Sequence, residues 1–130
     1  MEYRKLKVII SGGGTGGHIF PALSIAAKLK EVNPQTEILF VGAEGRMEME
    51  KVPALGYNIK GLPVAGLQRK FTLKNLALPF KVAASVRRAK SIIREFGADV
   101  VVGFGGYASA PVLRAAQSLG VPTIIQEQNS

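Results

Sequence analysis

Residues 9–23, with the sequence IISGGGTGGHIFPAL, decide how this chain is built. An apolar run ends at Ser11, five glycines and a threonine follow, and a second apolar run begins at Ile19. This order is typical of a β-strand, a tight turn and a helix. The stretch contains G-x-G-x-x-G at Gly12, Gly14 and Gly17. Three interpretations fit that pattern: a dinucleotide site, another phosphate-binding loop, or a tight turn alone.

The rest of the chain repeats the alternation of short apolar runs and helical patterns. The predicted strands are Leu6–Ser11, Glu37–Val41, Tyr57–Leu62, Val100–Val102 and Pro122–Gln126. The predicted helices are Pro21–Val32, Arg46–Leu55, Pro79–Phe96 and Ser109–Leu119. Several strands are continuously apolar, as expected for parallel strands that helices cover on both faces. The pattern predicts one α/β domain over residues 1–130, a Rossmann-like doubly wound parallel sheet.

A second glycine-rich segment, GFGGYASAP (103–111), also follows an apolar strand and precedes a helix. Ligands of doubly wound sheets bind beyond the carboxyl ends of the strands, so both loops belong to one predicted site. Free backbone N–H groups at a helix start bind anions, which predicts one ligand with two phosphates or two facing anions. The predicted anion-binding glycines are Gly13, Gly14, Gly16, Gly17, Gly103, Gly105 and Gly106. The polar residues predicted to line the site, or else to stabilise turns and cap helices, are Thr15, Tyr107, Ser109, Glu127 and Asn129.

The residues after the first loop distinguish between kinds of phosphate site. A P-loop requires Lys and Ser/Thr after its last glycine, but His18 and Ile19 follow Gly17. A dinucleotide site requires an acid near the end of the second strand. Glu37 opens that strand, and Glu44 lies 27 residues past Gly17, so the dinucleotide pattern is poorly matched. His18 lies at the start of a helix, where the helix dipole favours the neutral imidazole of a general base; a structural histidine is the alternative.

The charge of the chain is concentrated in its middle. The net charge is +8, and the segment from Lys51 to Arg94 contains ten Lys and Arg residues and no acid. Exposed apolar side chains surrounded by cations predict a surface that docks on an anionic membrane. Its predicted residues are Lys70, Phe71, Leu73, Lys74, Leu76, Phe80, Lys81, Arg87 and Arg88. Few stacking aromatics and no reading motif are present, so no nucleic-acid partner is expected.

The helix within this basic segment has its own predicted core face. Residues that recur at helical spacing from 79 to 96 are expected to face the sheet. They are Val82, Val86, Ala89, Ile93 and Phe96. The cations between them are expected to face solvent.

Several function classes are disfavoured by composition. The chain contains no cysteine, which excludes disulfides, thiolate metal sites and cysteine nucleophiles. No metal or cofactor is predicted. The apolar run at residues 8–10 is too short for a signal peptide, and the uncharged stretch at 100–113 has only 14 residues and is broken by glycine and proline. We therefore expect a soluble cytoplasmic domain.

Five segments, in their order and spacing, resemble the MurG family of bacterial N-acetylglucosaminyltransferases. They are GGTGGHIFPAL (13–23), GRMEMEKVPALGY (45–57), GLQRK (66–70), GFGGYASAP (103–111) and EQN (127–129). They are spread from residue 13 to residue 129, so the resemblance covers essentially the whole chain. The resemblance implies the amino-terminal, acceptor-binding half of a two-domain GT-B glycosyltransferase, with the donor-binding domain outside residues 1–130. Gln126 stands where the family commonly has histidine.

The resemblance also implies a reaction. The family transfers N-acetylglucosamine from UDP-N-acetylglucosamine to lipid I in peptidoglycan synthesis, with inversion and without a covalent intermediate. The two glycine loops would hold the pyrophosphate of lipid I, and His18 would help to deprotonate the acceptor 4-hydroxyl. The expected location is peripheral, on the cytoplasmic face of the bacterial plasma membrane. The alternatives are a stand-alone membrane-docking subunit of a two-chain transferase and, less favoured, an NAD-binding domain.

Overall fold

A computed structural model describes residues 5–12, 16–63, 78–105 and 109–126. Within these ranges strands and helices alternate along the chain. The strands are β1 (Lys7–Ser11), β2 (Glu37–Ala43), β3 (Asn58–Leu62), β4 (Val100–Gly103) and β5 (Thr123–Ile125). The helices are α1 (Gly16–Val32), α2 (Glu48–Ala54), α3 (Leu78–Phe96) and α4 (Ser109–Leu119).

The strands form one parallel sheet with β1 at its centre. Their order is β3-β2-β1-β4-β5, and every neighbouring pair is parallel. The chain builds the sheet outward from β1 to β3 and then returns to add β4 and β5 on the other side. The prediction of a Rossmann-like doubly wound parallel sheet is confirmed. Its order reverses between β1 and β4, which is where such sheets bind ligands.

Helices cover both faces of this sheet, which explains why its strands are continuously apolar. On one face Ile10, Phe40 and Val102 pack with buried residues of α1 and α2. On the other face Ile9 and Val101 pack with buried residues of α3 and α4. Adjacent residues of a strand, such as Ile9 and Ile10, point to opposite faces of the sheet. Because helices cover both faces, both residues are buried.

Helix α1 begins earlier than the sequence pattern predicted. It starts at Gly16 rather than at Pro21, so Pro21 is its sixth residue. Glycine has a low helix propensity, and proline favours the first turn, which is why the pattern indicated a later start. The earlier start makes His18 the third helical residue, and its expected position in the first turn is confirmed.

The predicted core face of α3 is wrong at one position. Val82 is 40% exposed, whereas Ile92, which was not predicted, is buried against the sheet. Ala89 and Ile93 are buried as expected, and Val86 packs partly against them. The core stripe of α3 therefore passes through residue 85, where the buried side chain is serine, instead of residue 82. The basic residues on the opposite side, Arg87 and Arg88, are exposed as predicted.

The amino edge of the sheet is closed by reciprocal hydrogen bonds between β1 and the α3–β4 turn. The Asp99 N–H donates to the Lys7 carbonyl at 2.8 Å, and the Lys7 N–H donates to Asp99 Oδ2 at 2.9 Å. The Lys7 ammonium also donates to the Phe96 carbonyl at 3.1 Å, where a cation is favourable at the end of α3. These contacts join residues 92 positions apart and fix where β4 begins.

An exposed ion pair lies beside this turn. The Lys5 ammonium is 2.8 Å from Glu37 Oε1, and its hydrogen bond lowers the pKa of the Glu37 carboxyl. A lowered pKa in the folded state means that the pair contributes stability above the ordinary pKa of glutamate and loses it as pH falls. Solvent screening keeps such a contribution small.

We expect Asp99→Ala to lower the free energy of unfolding by about 1–3 kcal/mol, because the part-buried Lys7 N–H loses its acceptor. Urea unfolding monitored by circular dichroism measures this change. Glu95→Ala removes the same charge from an exposed position nearby and serves as the control. Equal losses in the two variants would contradict the assigned hydrogen bond.

Candidate functional site

The two glycine-rich loops leave the sheet from paired residues. Ser11, the last residue of β1, is in register with Gly103, the last residue of β4. The first loop leads to α1 on one face of the sheet, and the second leads to α4 on the other. The strand order reverses at this point, which is where sheets of this kind form a ligand-binding crevice. The strand ends that carry the two loops therefore lie side by side at one edge, as predicted.

Backbone hydrogen bonds extend the sheet to the base of these loops. The Phe104 N–H donates to the Ser11 carbonyl at 2.7 Å. On the other side of β4, the Gln126 N–H donates to the Gly103 carbonyl at 2.8 Å. Position 126, where the sequence departs from the family pattern, is thus held through its backbone, which any residue except proline provides.

Ser11 is a residue of this edge that sequence reasoning missed. Its side chain is fully buried, and its hydroxyl donates to the Val41 carbonyl of β2 at 3.1 Å. The end of β1 is therefore tied to both neighbouring strands, by the hydroxyl on one side and by the carbonyl on the other. The sequence feature that could have identified Ser11 is a small polar residue at the last position of a strand whose preceding residues, 8–10, are apolar.

The second loop is packed closely against the start of α4. A Cβ atom on Gly103 would lie 2.6 Å from Ser109 Oγ and 2.8 Å from Leu113 Cδ1. Gly103 was predicted to contact an anion, and the structure adds a packing reason for glycine, because a side chain there would displace α4. Gly105 has a φ of +94°, a left-handed conformation that favours glycine.

Ser109, predicted to line the site, is the first residue of α4 and is only 3% exposed. Its hydroxyl is buried and, among the described residues, has no hydrogen-bond partner. A buried hydroxyl without a partner costs about 1–3 kcal/mol, so such groups are usually satisfied by a ligand or by water. This hydroxyl lies at the base of the second loop, beside the end of β4.

The beginnings of α1 and α4 are suited to anions. Gly16 and Gly17 open α1, Ser109 opens α4, and neither helix has an acidic residue in its first turn. The first N–H groups of a helix have no partners within the helix and carry the positive end of its dipole. Both helices therefore present their positive ends at the carboxyl edge of the sheet, without a carboxylate to compete with a ligand.

The acid that a dinucleotide site would need is directed elsewhere. Glu44 follows β2, but its side chain covers the edge strand β3. A Cβ atom on Gly61 of β3 would lie 2.7 Å from Glu44 Cγ. Because β3 lies on the far side of β2 from β1, this carboxylate does not face the crevice. The geometry thus weighs against the NAD-binding alternative.

Some of the remaining predicted site residues lie within the described part of the chain and others lie outside it. Those outside the described residues are Gly13, Gly14, Thr15, Gly106, Tyr107, Glu127 and Asn129, and, in the predicted docking segment, Lys70, Phe71, Leu73, Lys74 and Leu76. Phe80 and Lys81 lie in the first turn of α3. Arg87 and Arg88 follow on the same helix and are exposed. None of the described helices is long and apolar enough to cross a membrane.

Comparison with known proteins identifies the family. Residues 8–130 match the model of the glycosyltransferase family 28 N-terminal domain. The chain belongs to glycosyltransferase family 28. The family 28 match includes both glycine loops, α1 and the whole described sheet except Lys7.

Relatives within family 28 are close in sequence. A protein of Phocaeicola vulgatus is 62% identical over 125 residues, covering 96% of this chain and 33% of its own length. A protein of Cytophaga hutchinsonii is 60% identical over 129 residues, covering 99% of this chain and 35% of its own length. Both are named UDP-N-acetylglucosamine–N-acetylmuramyl-(pentapeptide) pyrophosphoryl-undecaprenol N-acetylglucosamine transferase. The chain spans about a third of the length of these relatives.

Solved structures agree with the fold. MurG of Acinetobacter baumannii matches with a TM-score of 0.79 and 31% identity, over 95% of this chain and 34% of that protein. A UDP-N-acetylglucosamine 2-epimerase matches with a TM-score of 0.70 and 16% identity, over 94% of this chain and 33% of that protein. The second likeness shows only the fold. The expected resemblance to the amino-terminal half of a GT-B glycosyltransferase is confirmed.

We expect Gly103→Ala to lower the free energy of unfolding by about 1–3 kcal/mol, because the new methyl group overpacks the start of α4. Thermal or urea unfolding measures the change. Ser118→Ala, at an exposed position of α4, is the control. A Gly103→Ala variant as stable as Ser118→Ala would contradict the packing role.

Proposed function

We propose that this chain is the acceptor-binding part of an inverting transferase. The full-length enzyme transfers N-acetylglucosamine from UDP-N-acetylglucosamine to lipid I and so makes lipid II for peptidoglycan. The names of relatives that are about 60% identical to the chain support this assignment. Because the chain spans about a third of their length, most of the UDP-N-acetylglucosamine site is assigned to the rest of the enzyme.

The observation that carries the proposal is the pair of helix N-termini at the switch point. The helices follow strand ends that are paired in register, Ser11 with Gly103, and both first turns lack acids. Lipid I carries a pyrophosphate, whose two phosphate groups match two neighbouring anion-binding turns. A ligand with a single phosphate would use only one of them.

The Ser109 hydroxyl supports the same ligand. It is buried at the base of the second loop and has no partner within the described part of the chain, and a phosphate oxygen is a strong acceptor for it. Gly103 lacks a side chain beside this hydroxyl, so the helix start is held close to the end of β4. We assign Ser109 to the pyrophosphate subsite on this ground.

His18 is assigned as the general base. As the third residue of α1 it lies one turn or less from the first glycine loop. The acceptor 4-hydroxyl loses its proton to the imidazole while its oxygen attacks the anomeric carbon of the donor sugar. The bond to UDP breaks, and the electron pair leaves with the UDP phosphate. Attack from the face opposite UDP inverts the anomeric centre without a covalent intermediate.

The basic surface of α3 is assigned to the membrane. Arg87 and Arg88 are exposed, and Val82 on the same helix exposes 40% of its surface. Cations beside exposed apolar groups favour binding to anionic lipid headgroups. We therefore place the enzyme at the cytoplasmic face of the bacterial plasma membrane as a peripheral protein.

We expect His18→Ala in the full-length enzyme to lower kcat by about 10²–10⁴-fold, because the attacking hydroxyl loses its base. Transfer of labelled N-acetylglucosamine to lipid I measures this rate. Ser24→Ala, at an exposed position of the same helix, is the matched control and should leave kcat unchanged. A normal kcat in His18→Ala would return the histidine to a structural role.

We expect the double substitution Arg87→Gln and Arg88→Gln to weaken binding to anionic vesicles about 30-fold, at about 1 kcal/mol for each cation. Vesicle co-sedimentation of the full-length enzyme, at low and high salt, measures the affinity. The control replaces Lys51 and Lys60, two exposed cations outside α3, and so removes the same charge. Equal weakening by both pairs would mean that net charge, rather than the α3 surface, determines binding.

A further inference from the structure

A carboxylate that the proposed mechanism does not use is buried near the site. Glu48 is the first residue of α2, has 0% exposure, and accepts the Ala43 N–H through Oε2 at 2.9 Å. Burying a carboxylate is costly unless hydrogen bonds compensate it. The hydrogen bond from the Ala43 N–H compensates part of this cost and fixes the carboxylate at the β2–α2 connection.

The sheet is shaped to receive this side chain. A Cβ atom on Gly42 would lie 2.5 Å from Glu48 Cγ and 3.0 Å from its Oε2. Gly42 of β2 is in register with Gly61 of β3, so two glycines lie side by side on one face of the sheet. Glu44 and Met49 cover the second glycine. The connection between β2 and α2 thus rests directly on the backbone of both strands.

This connection is adjacent to the first glycine loop. Strand β2 is the neighbour of β1, and both end at the same edge of the sheet. The Ser11 hydroxyl at the base of the loop donates to the carbonyl of Val41. Two residues later, the N–H of Ala43 donates to Glu48. Two buried hydrogen bonds, two residues apart on β2, therefore tie the end of β2 to Ser11 on one side and to the Glu48 carboxylate on the other.

We infer that Glu48 is a positioning residue for the acceptor site. Its carboxylate fixes the Ala43 backbone at the end of β2 and, through the pairing of β2 with Ser11, holds the end of β1 from which the first glycine loop leaves. The inference rests on the proposed function, in which this loop binds the pyrophosphate of the acceptor. Displacing a substrate by about 1 Å lowers catalysis by about 10²-fold, so a fixed base of this loop matters for the reaction.

The test uses the full-length enzyme with Glu48→Ala, Glu48→Gln and the control Glu50→Gln. Glu48 and Glu50 both lie in the first turn of α2, so the control removes the same charge near the same helix end, from an exposed position. We expect kcat/KM for lipid I to fall by about 10- to 100-fold in Glu48→Ala, with KM for UDP-N-acetylglucosamine unchanged. For Glu48→Gln, which keeps an acceptor oxygen, we expect a kcat/KM for lipid I between the values of Glu48→Ala and wild type. For Glu50→Gln we expect the wild-type value.

Two results would overturn the inference. One is an unchanged kcat/KM for lipid I in Glu48→Ala; the other is a loss of kcat in proportion to the unfolded fraction, with both KM values unchanged. Wild-type enzyme that fails to glycosylate lipid I would instead refute the proposed function, so the two failures are distinguishable.

Amide hydrogen exchange supplies a readout that does not depend on activity. In Glu48→Gln we expect faster exchange at Ala43 and also at Gly12, which follows Ser11, while the amides of β5 exchange as in wild type. Faster exchange at Ala43 with no change at Gly12 would show that the carboxylate does not reach the glycine loop, and the inference would be wrong.

Discussion

Strand β1 is hydrogen-bonded to a parallel strand on each side, and the whole carboxyl edge depends on that double pairing. Its last residue, Ser11, is in register with Val41 of β2 and with Gly103 of β4. The pairing with β4 brings two distant glycine-rich segments together. The pairing with β2 brings the β2–α2 connection beside them. Without β1 at the centre, the loops would lie at separate places on the sheet and no shared crevice would form.

Close approach of backbone and side chain is the second constraint, and glycines in the strands provide it. Gly103 allows Ser109 and Leu113 of α4 to contact β4, and Gly42 allows Glu48 of α2 to contact β2. In both cases the helix after the strand begins directly over the strand end. The starts of the helices, which carry the free N–H groups, are thereby held at the edge where an anion would bind.

Much of this arrangement was predictable from the sequence, because the signals are local. Apolar runs, helical spacing and glycine-rich turns predicted the nine elements of the described residues, within five residues at each boundary. Predictions were wrong or missing where contacts between residues far apart in the sequence determine which side chain is buried. Val82 has the spacing of a core residue, yet the packing of α3 leaves Val82 exposed and buries Ile92 instead. Ser11 and Glu48 were missed because their partners, Val41 and Ala43, are identified only once the strands and helix are packed.

The sequence by itself determined the alternation of strands and helices, the two glycine-rich turns and the position of His18 at a helix start. These follow from side-chain periodicity and from the backbone freedom of glycine, which act over a few residues. Only the tertiary structure decided that Ser11 and Gly103 pair in register, that the Glu44 side chain covers β3, and that Glu48 is buried. Those outcomes depend on strand order and packing, because each joins elements that their own local sequences do not bring together.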